Sequence, residues 1–188
     1  LTWNDDNCFG HPHAKDAGRM QLGLTPFGKE AVTYMTERGI LVDVSHLSDG
    51  GFYDVAELVK GPFVASHSNC RELAPATRNL TDDMIRILAE HGGVCGLNFY
   101  PPFLNTDPVD KVSRIERMCE HVKHLVNVGG IECVGIGTDF DGIEGNLEIA
   151  DCMEMEKLFD ALQKKGFCED DIERIAYKNV ERVIREVM

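Results

Sequence analysis

Three short apolar runs in this chain each end on a residue able to bind a metal or move a proton. Ile40-Leu41-Val42-Asp43-Val44-Ser45-His46 and Phe63-Val64-Ala65-Ser66-His67 close on histidine with one helix-length segment between them, and Cys133-Val134-Gly135-Ile136-Gly137-Thr138-Asp139 closes on an acid. None alternates apolar and polar residues as a strand with one wet face would. Both faces are therefore covered, as in a parallel sheet clothed by helices. In such folds the C-terminal strand ends share one face, and barrels keep their chemistry there. Two imidazoles and a carboxylate then converge, which is the raw material of a hydrolytic metal site.

The punctuation between the runs supports this order. Thr25, Ser48 and Thr81 are N-cap residues ahead of helical apolar spacing, Pro26 suits a first helical position, and Gly39, Gly61-Pro62, Gly92-Gly93 and Gly129-Gly130 are stops. The pattern predicts strands at 40–46, 63–67, 93–99 and 133–138. Helices precede and follow each strand, the last two near 152–164 and 169–187, while 4–24 and 68–80 read as loops and Pro101-Pro102 as a break. Four strands are too few for a (β/α)8 barrel, which takes ~250 residues. The 188 residues fit one domain, either the second half of such a barrel or a complete open four-stranded sheet. The opening Leu1-Thr2-Trp3 has no initiator Met and reads as a strand entered near its end, as in a piece of a longer chain.

Composition narrows the partners. With 32 acids against 19 Lys plus Arg, the net charge of -13 repels phosphate backbones, and no basic stripe offsets it, so nucleic acid is not an expected partner. No apolar stretch approaches the ~20 residues that cross a bilayer. The seven cysteines form no C-x-x-C pair and several sit inside apolar runs, which fits reduced core thiols and a cytoplasmic location.

His46 and His67 lie 21 residues apart, so only adjacent strand ends can bring them together. A lone histidine at such a place is ordinarily a packed structural residue, but two at equivalent ends of neighbouring strands point to metal ligation, and imidazole suits zinc. Asp139 is the better inward-facing acid, because Asp141-Gly142 is a turn signal. Beside a metal site, Asp139 can take a proton and pass it to a leaving amine. Arg78, in the loop after His67, has the planar fork that holds a carboxylate, with Arg71 as a competitor. His91, His121 and His124 are explained by surface packing, and His11-Pro12-His13 sits in the long loop.

These residues resemble the renal (membrane) dipeptidases, zinc metallopeptidases with an amidohydrolase-like barrel. The likeness rests on Leu1-Thr2-Trp3-Asn4, Gly23-Leu24-Thr25-Pro26-Phe27-Gly28, Val42 to His46, Ser66-His67-Ser68, Arg78-Asn79, Asn98-Phe99-Tyr100 and Gly137 to Gly142, and so runs from end to end. It implies a binuclear zinc enzyme that cleaves dipeptides, with a D-residue tolerated at the C-terminal position. His46 and His67 would bind one zinc, Arg78 would hold the dipeptide carboxylate, and Asp139 would contact the substrate amine and handle a proton. The family's His-x-Asp pair and bridging Glu have no counterpart here, so the resemblance implies a site completed by a missing N-terminal half or by association, such as a homodimer. Trp3 stands where many members carry a carbonyl-polarising histidine; either His11 or His13 substitutes, or the subgroup works without one. Two other readings stay open: a non-catalytic half-barrel serving binding or assembly, and a metal-dependent amidohydrolase acting on cyclic amides or lactones.

Overall fold

The computed structural model describes residues 1–188. In chain order the elements are α1 (Ala17–Met20), α2 (Pro26–Glu37), α3 (Asp49–Leu58), β1 (Val64–Ala65), α4 (Asp82–Glu90), β2 (Val94–Leu97), α5 (Pro101–Leu104), β3 (Val112–Ser113), α6 (Ile115–Gly129), β4 (Val134–Ile136), β5 (Asn146–Leu147), α7 (Glu156–Lys164), α8 (Glu169–Glu173) and α9 (Asn179–Val187). The caps act as the sequence implies: the Thr25, Ser48 and Thr81 hydroxyls accept the N–H groups of Gly28, Gly51 and Met84. Pro101-Pro102 does not simply break the chain but opens α5, where a proline loses no helical hydrogen bond. The segment 4–24 is more ordered than a plain loop, since it carries α1 and bridges Gly10 to Leu24 and Pro12 to Leu47.

The main sheet is parallel in the order β1-β2-β4, and Asp43 extends it by one rung against Val64. A second, two-stranded sheet pairs β3 with β5. The regular ladders are shorter than the apolar runs, and the run 40–46 forms a single bridge. The cause is local. Val44 N–H and Val64 N–H bond across to Val64 and Val42 carbonyls, but the next donors turn to side chains. Asp43 Oδ1 accepts Ser45 N–H and Ser66 N–H, each at 3.0 Å, and Ser45 Oγ accepts His67 N–H at 3.0 Å. Short polar side chains thus replace the ladder where the chain leaves the sheet. At the other end of the run 133–138, residues Ile131–Cys133 form a 3-10 turn before β4 begins.

Close approach at the strand ends requires glycine. A Cβ at Gly96 or Gly137 would meet the Ser66 carbonyl oxygen at 2.0 and 1.9 Å, so side chains there would push β1 away from its neighbours. Beneath, Phe63, Ala65, Cys95, Leu97 and Val134 are buried in one core with Met84, Ile85, Leu88, Met118, Val122 and Leu125 from the flanking helices. The seven cysteines are all free, and four of them are buried. No helix is long and apolar enough to cross a membrane. The C-terminal helical run passes through a π turn at Arg174–Lys178, after which Asn179 Nδ2 donates to the Ile131 and Val134 carbonyls and ties the run to β4.

His121, expected to be explained by surface packing, is instead wholly buried. Cys70 N–H donates to its Nδ1 at 3.2 Å, so its Nε2–H donates to the Leu104 carbonyl at 3.0 Å, and one neutral ring pins the loop after β1 to α5. Burial is the largest cause that pushes its pKa down, to about 4, with Arg117 and His124 adding to it. Unfolded, the ring takes a proton near pH 6.5 that the folded protein refuses until about pH 4. Its contribution is therefore complete above pH 6.5 and is lost as the pH falls to 4, by about 3 kcal/mol. His121→Gln keeps one donor and one acceptor but cannot titrate. Urea unfolding from pH 7 to pH 4 should show the wild type losing about 3 kcal/mol more than this variant; parallel curves would refute this role.

Candidate metal centre and cleft

The two strand-end histidines face each other. Their Nε2 atoms are 2.9 Å apart and their ring centroids 5.0 Å apart. Two ligands of a tetrahedral zinc at ~2.0–2.1 Å stand roughly 3.3 Å apart, so a few tenths of an ångström separates this pair from two corners of such a site. Burial, followed by the nearby Arg78 charge, pushes the pKa of His46 down to about 3 and lowers that of His67. Both rings are neutral at physiological pH, the form that binds metals. His46 Nδ1 is buried without a partner, whereas His67 Nδ1 lies 2.7 Å from Ser66 Oγ. No set of three or more His, Cys, Asp or Glu side chains converges in this chain, so its donors fit two ligand positions around one metal and not a complete shell.

Arg78 and Arg71 are separated clearly. Arg71 is locked by a two-pronged ion pair with Asp49 at 2.7 and 2.8 Å and by the Asn79 and Thr77 carbonyls. Arg78 is 5% exposed and has no carboxylate within ion-pair distance. Its contacts are long: Ser68 Oγ at 3.4 Å, the His67 carbonyl at 3.3 Å, and the Phe103 ring at 5.4 Å from its central carbon. Burial lowers its pKa only to about 10, so it stays charged. Its place is fixed by Asn79, whose Nδ2 donates to the Ala74 and Phe103 carbonyls at 2.9 Å, and by Asn69, bonded to both backbone groups of Asn98.

Asp139 has φ of 61°, the one non-glycine residue in the left-handed region, a conformation that Asp tolerates better than most. That turn aims Oδ2 back to Asn98 Nδ2 at 3.1 Å and leaves Oδ1 without a hydrogen bond, while Asp141 is exposed. His46, Arg78 and Asp139 line one cleft of about 360 Å3 with His13, Tyr100 and Phe103. Burial, then Arg78, pushes His13 down to about 4. The other histidines lie outside the cleft: His11 bonds Asp6, His124 bonds Asp82, and His91 packs edge-on against Phe63. Trp3 lines the cleft but is largely exposed. Sequence reasoning passed over Asp43, Ser66 and Asn98. The serine before each histidine was a usable signal for Ser66.

The cleft thus sits at the strand ends of a parallel α/β half-sheet. Residues 1–188 match the family described as membrane dipeptidase (peptidase family M19), and the chain belongs to it. An uncharacterized protein in the pqqA 5' region of Klebsiella pneumoniae is 33% identical over 192 residues, covering 98% of this chain and 70% of that protein. The dipeptidase tcpJ of Claviceps purpurea is 32% identical over 166 residues, covering 88% of this chain but 39% of its own length. A crystal structure of a metallopeptidase from Rhodobacter sphaeroides, liganded with a phosphinate mimic of the dipeptide L-Ala-D-Ala, superposes with a TM-score of 0.91 at 31% identity, covering 100% of this chain and 54% of that one. The chain thus spans about half of that solved relative, and its parallel strands form part of an amidohydrolase-type barrel rather than a complete open sheet.

Proposed function

We propose that this chain supplies one side of the active site of a zinc-dependent dipeptidase, with His46 and His67 as ligands of one zinc in a two-metal centre, Arg78 as the clamp for the substrate carboxylate, and Asp139 as the proton carrier. The observation that carries the reading is the opposition of the His46 and His67 Nε2 atoms at 2.9 Å, with His46 lining the same cleft as the buried Arg78, which forms no ion pair, and Asp139. Zinc held there would supply Lewis acidity, which makes water a nucleophile at neutral pH. The remaining ligands would come from outside this chain.

The chain's own groups divide the work. Arg78 fixes the carboxylate end of a dipeptide through two parallel N–H donors. Asp139, held at Oδ2 by Asn98, is left with Oδ1 to accept a proton and return it to the departing amine. Phe103 and Tyr100 give the cleft an aromatic wall. A neighbouring cavity of about 460 Å3 shares His13, Arg78 and Phe103, so the side chain next to the clamped carboxylate has somewhere to lie. A C-terminal D-residue should be tolerated, in keeping with the ligand of the Rhodobacter relative.

The test is hydrolysis of L-Ala-D-Ala and L-Ala-L-Ala by the full-length protein, in which the remaining ligands are present, with zinc added and bound metal measured alongside. Hydrolysis with metal bound supports the reading. Bound metal without turnover of any dipeptide refutes it.

A further inference from the structure

We propose that Asp43 and Ser66 form a positioning relay that fixes the ring tautomer of His67, keeping its hydrogen on Nδ1 and leaving a bare lone pair on Nε2 aimed at His46. The inference deepens the metal reading of His67, and it follows from the contact distances together with an ionised Asp43, which can only accept. Asp43 Oδ1 accepts Ser45 N–H and Ser66 N–H at 3.0 Å, and its Oδ2 accepts the Ser66 hydroxyl at 2.5 Å. Three donors surround a carboxylate that can only accept, so the single Ser66 proton is committed to it. Ser66 Oγ also lies 2.7 Å from His67 Nδ1. Having no second proton to give, the hydroxyl must accept there, and the ring must donate. A neutral imidazole has one N–H, so Nε2 is left bare.

The surroundings close the circuit. Ser45 Oγ accepts His67 N–H at 3.0 Å and turns its own proton toward Ser66 Oγ at 3.3 Å. His46 has no such fixture, because its Nδ1 is buried without a partner in this chain. The pair is therefore unequal: His67 is preset as an acceptor, and in the metal-free protein His46 Nε2–H donates to it across 2.9 Å. Metal-binding imidazoles are commonly oriented through the far ring nitrogen by a carboxylate; here a serine stands between acid and ring.

Asp43→Asn reverses the relay. Its carbonyl oxygen must stay toward the two backbone donors, so its amide donates to Ser66 Oγ, Ser66 donates to His67 Nδ1, and the ring hydrogen moves to Nε2. In metal-free protein carrying 15N-histidine, with the His67 signals assigned by their loss in His67→Ala, the wild-type ring should be the Nδ1–H form and Asp43→Asn the Nε2–H form. Zinc affinity should fall about 10- to 100-fold in Asp43→Asn and in Ser66→Ala, and recover in Ser66→Thr. A wild-type ring protonated at Nε2 overturns the proposal without any variant, and so does an unchanged tautomer in a folded Asp43→Asn protein. An Nδ1–H wild-type ring in a protein that binds no zinc would support the relay and refute the metal reading instead.

Discussion

Replacing His67 with alanine should remove one metal equivalent and with it nearly all dipeptide hydrolysis. Loss of an outer partner of a ligand commonly costs 10- to 100-fold in metal affinity, so loss of the ligand itself should exceed about 100-fold, and turnover that depends on metal-activated water should fall by about a thousandfold or more. His46→Ala should behave alike, because the two Nε2 atoms address one point. Neither change should unfold the protein, since the rings sit at the strand ends and the core lies beneath them. Metal content by elemental analysis, hydrolysis rates and a thermal melt separate these effects. Full metal and normal turnover in both variants would refute the assignment.

Arg78→Met should raise KM for free dipeptides by about a hundredfold or more while changing kcat far less. The clamp grips a carboxylate that is present in ground and transition states alike, and losing such uniform binding appears in KM. Removing one partner of a buried, hydrogen-bonded charge pair costs about 2–5 kcal/mol, which spans roughly 30- to 4000-fold. C-terminally amidated dipeptides should be poor substrates of the wild type, and Arg78→Met should no longer tell them from the free acids. The variant should fold at least as stably, because a 5% exposed cation without an acid partner is replaced by an apolar chain of similar reach. An unchanged KM would contradict the clamp.

What could be read from sequence followed periodicity and punctuation. Unalternating apolar runs separated by capped helices placed His46 and His67 at neighbouring strand ends, and a glycine or proline marked most boundaries. The lengths of the strands were not legible. Asp43 and Ser45 take the Ser66 and His67 backbone donors away from the ladder through contacts 23 and 22 residues apart, which no local pattern encodes. The same holds for Asn98, which meets Asp139 across 41 positions. His121 was different. It lies three residues after Met118 and four before Leu125, on the buried stripe of α6, and its burial could have been read from that spacing. The choice of Arg78 over Arg71 needed the fold, since only there does Asp49 engage Arg71.

The most direct measurement is diffraction at the zinc edge from crystals of the zinc-loaded protein. An anomalous peak about 2.0–2.1 Å from both His46 Nε2 and His67 Nε2 is the predicted result. A peak bound elsewhere, with the two imidazoles still in contact at 2.9 Å, would contradict it.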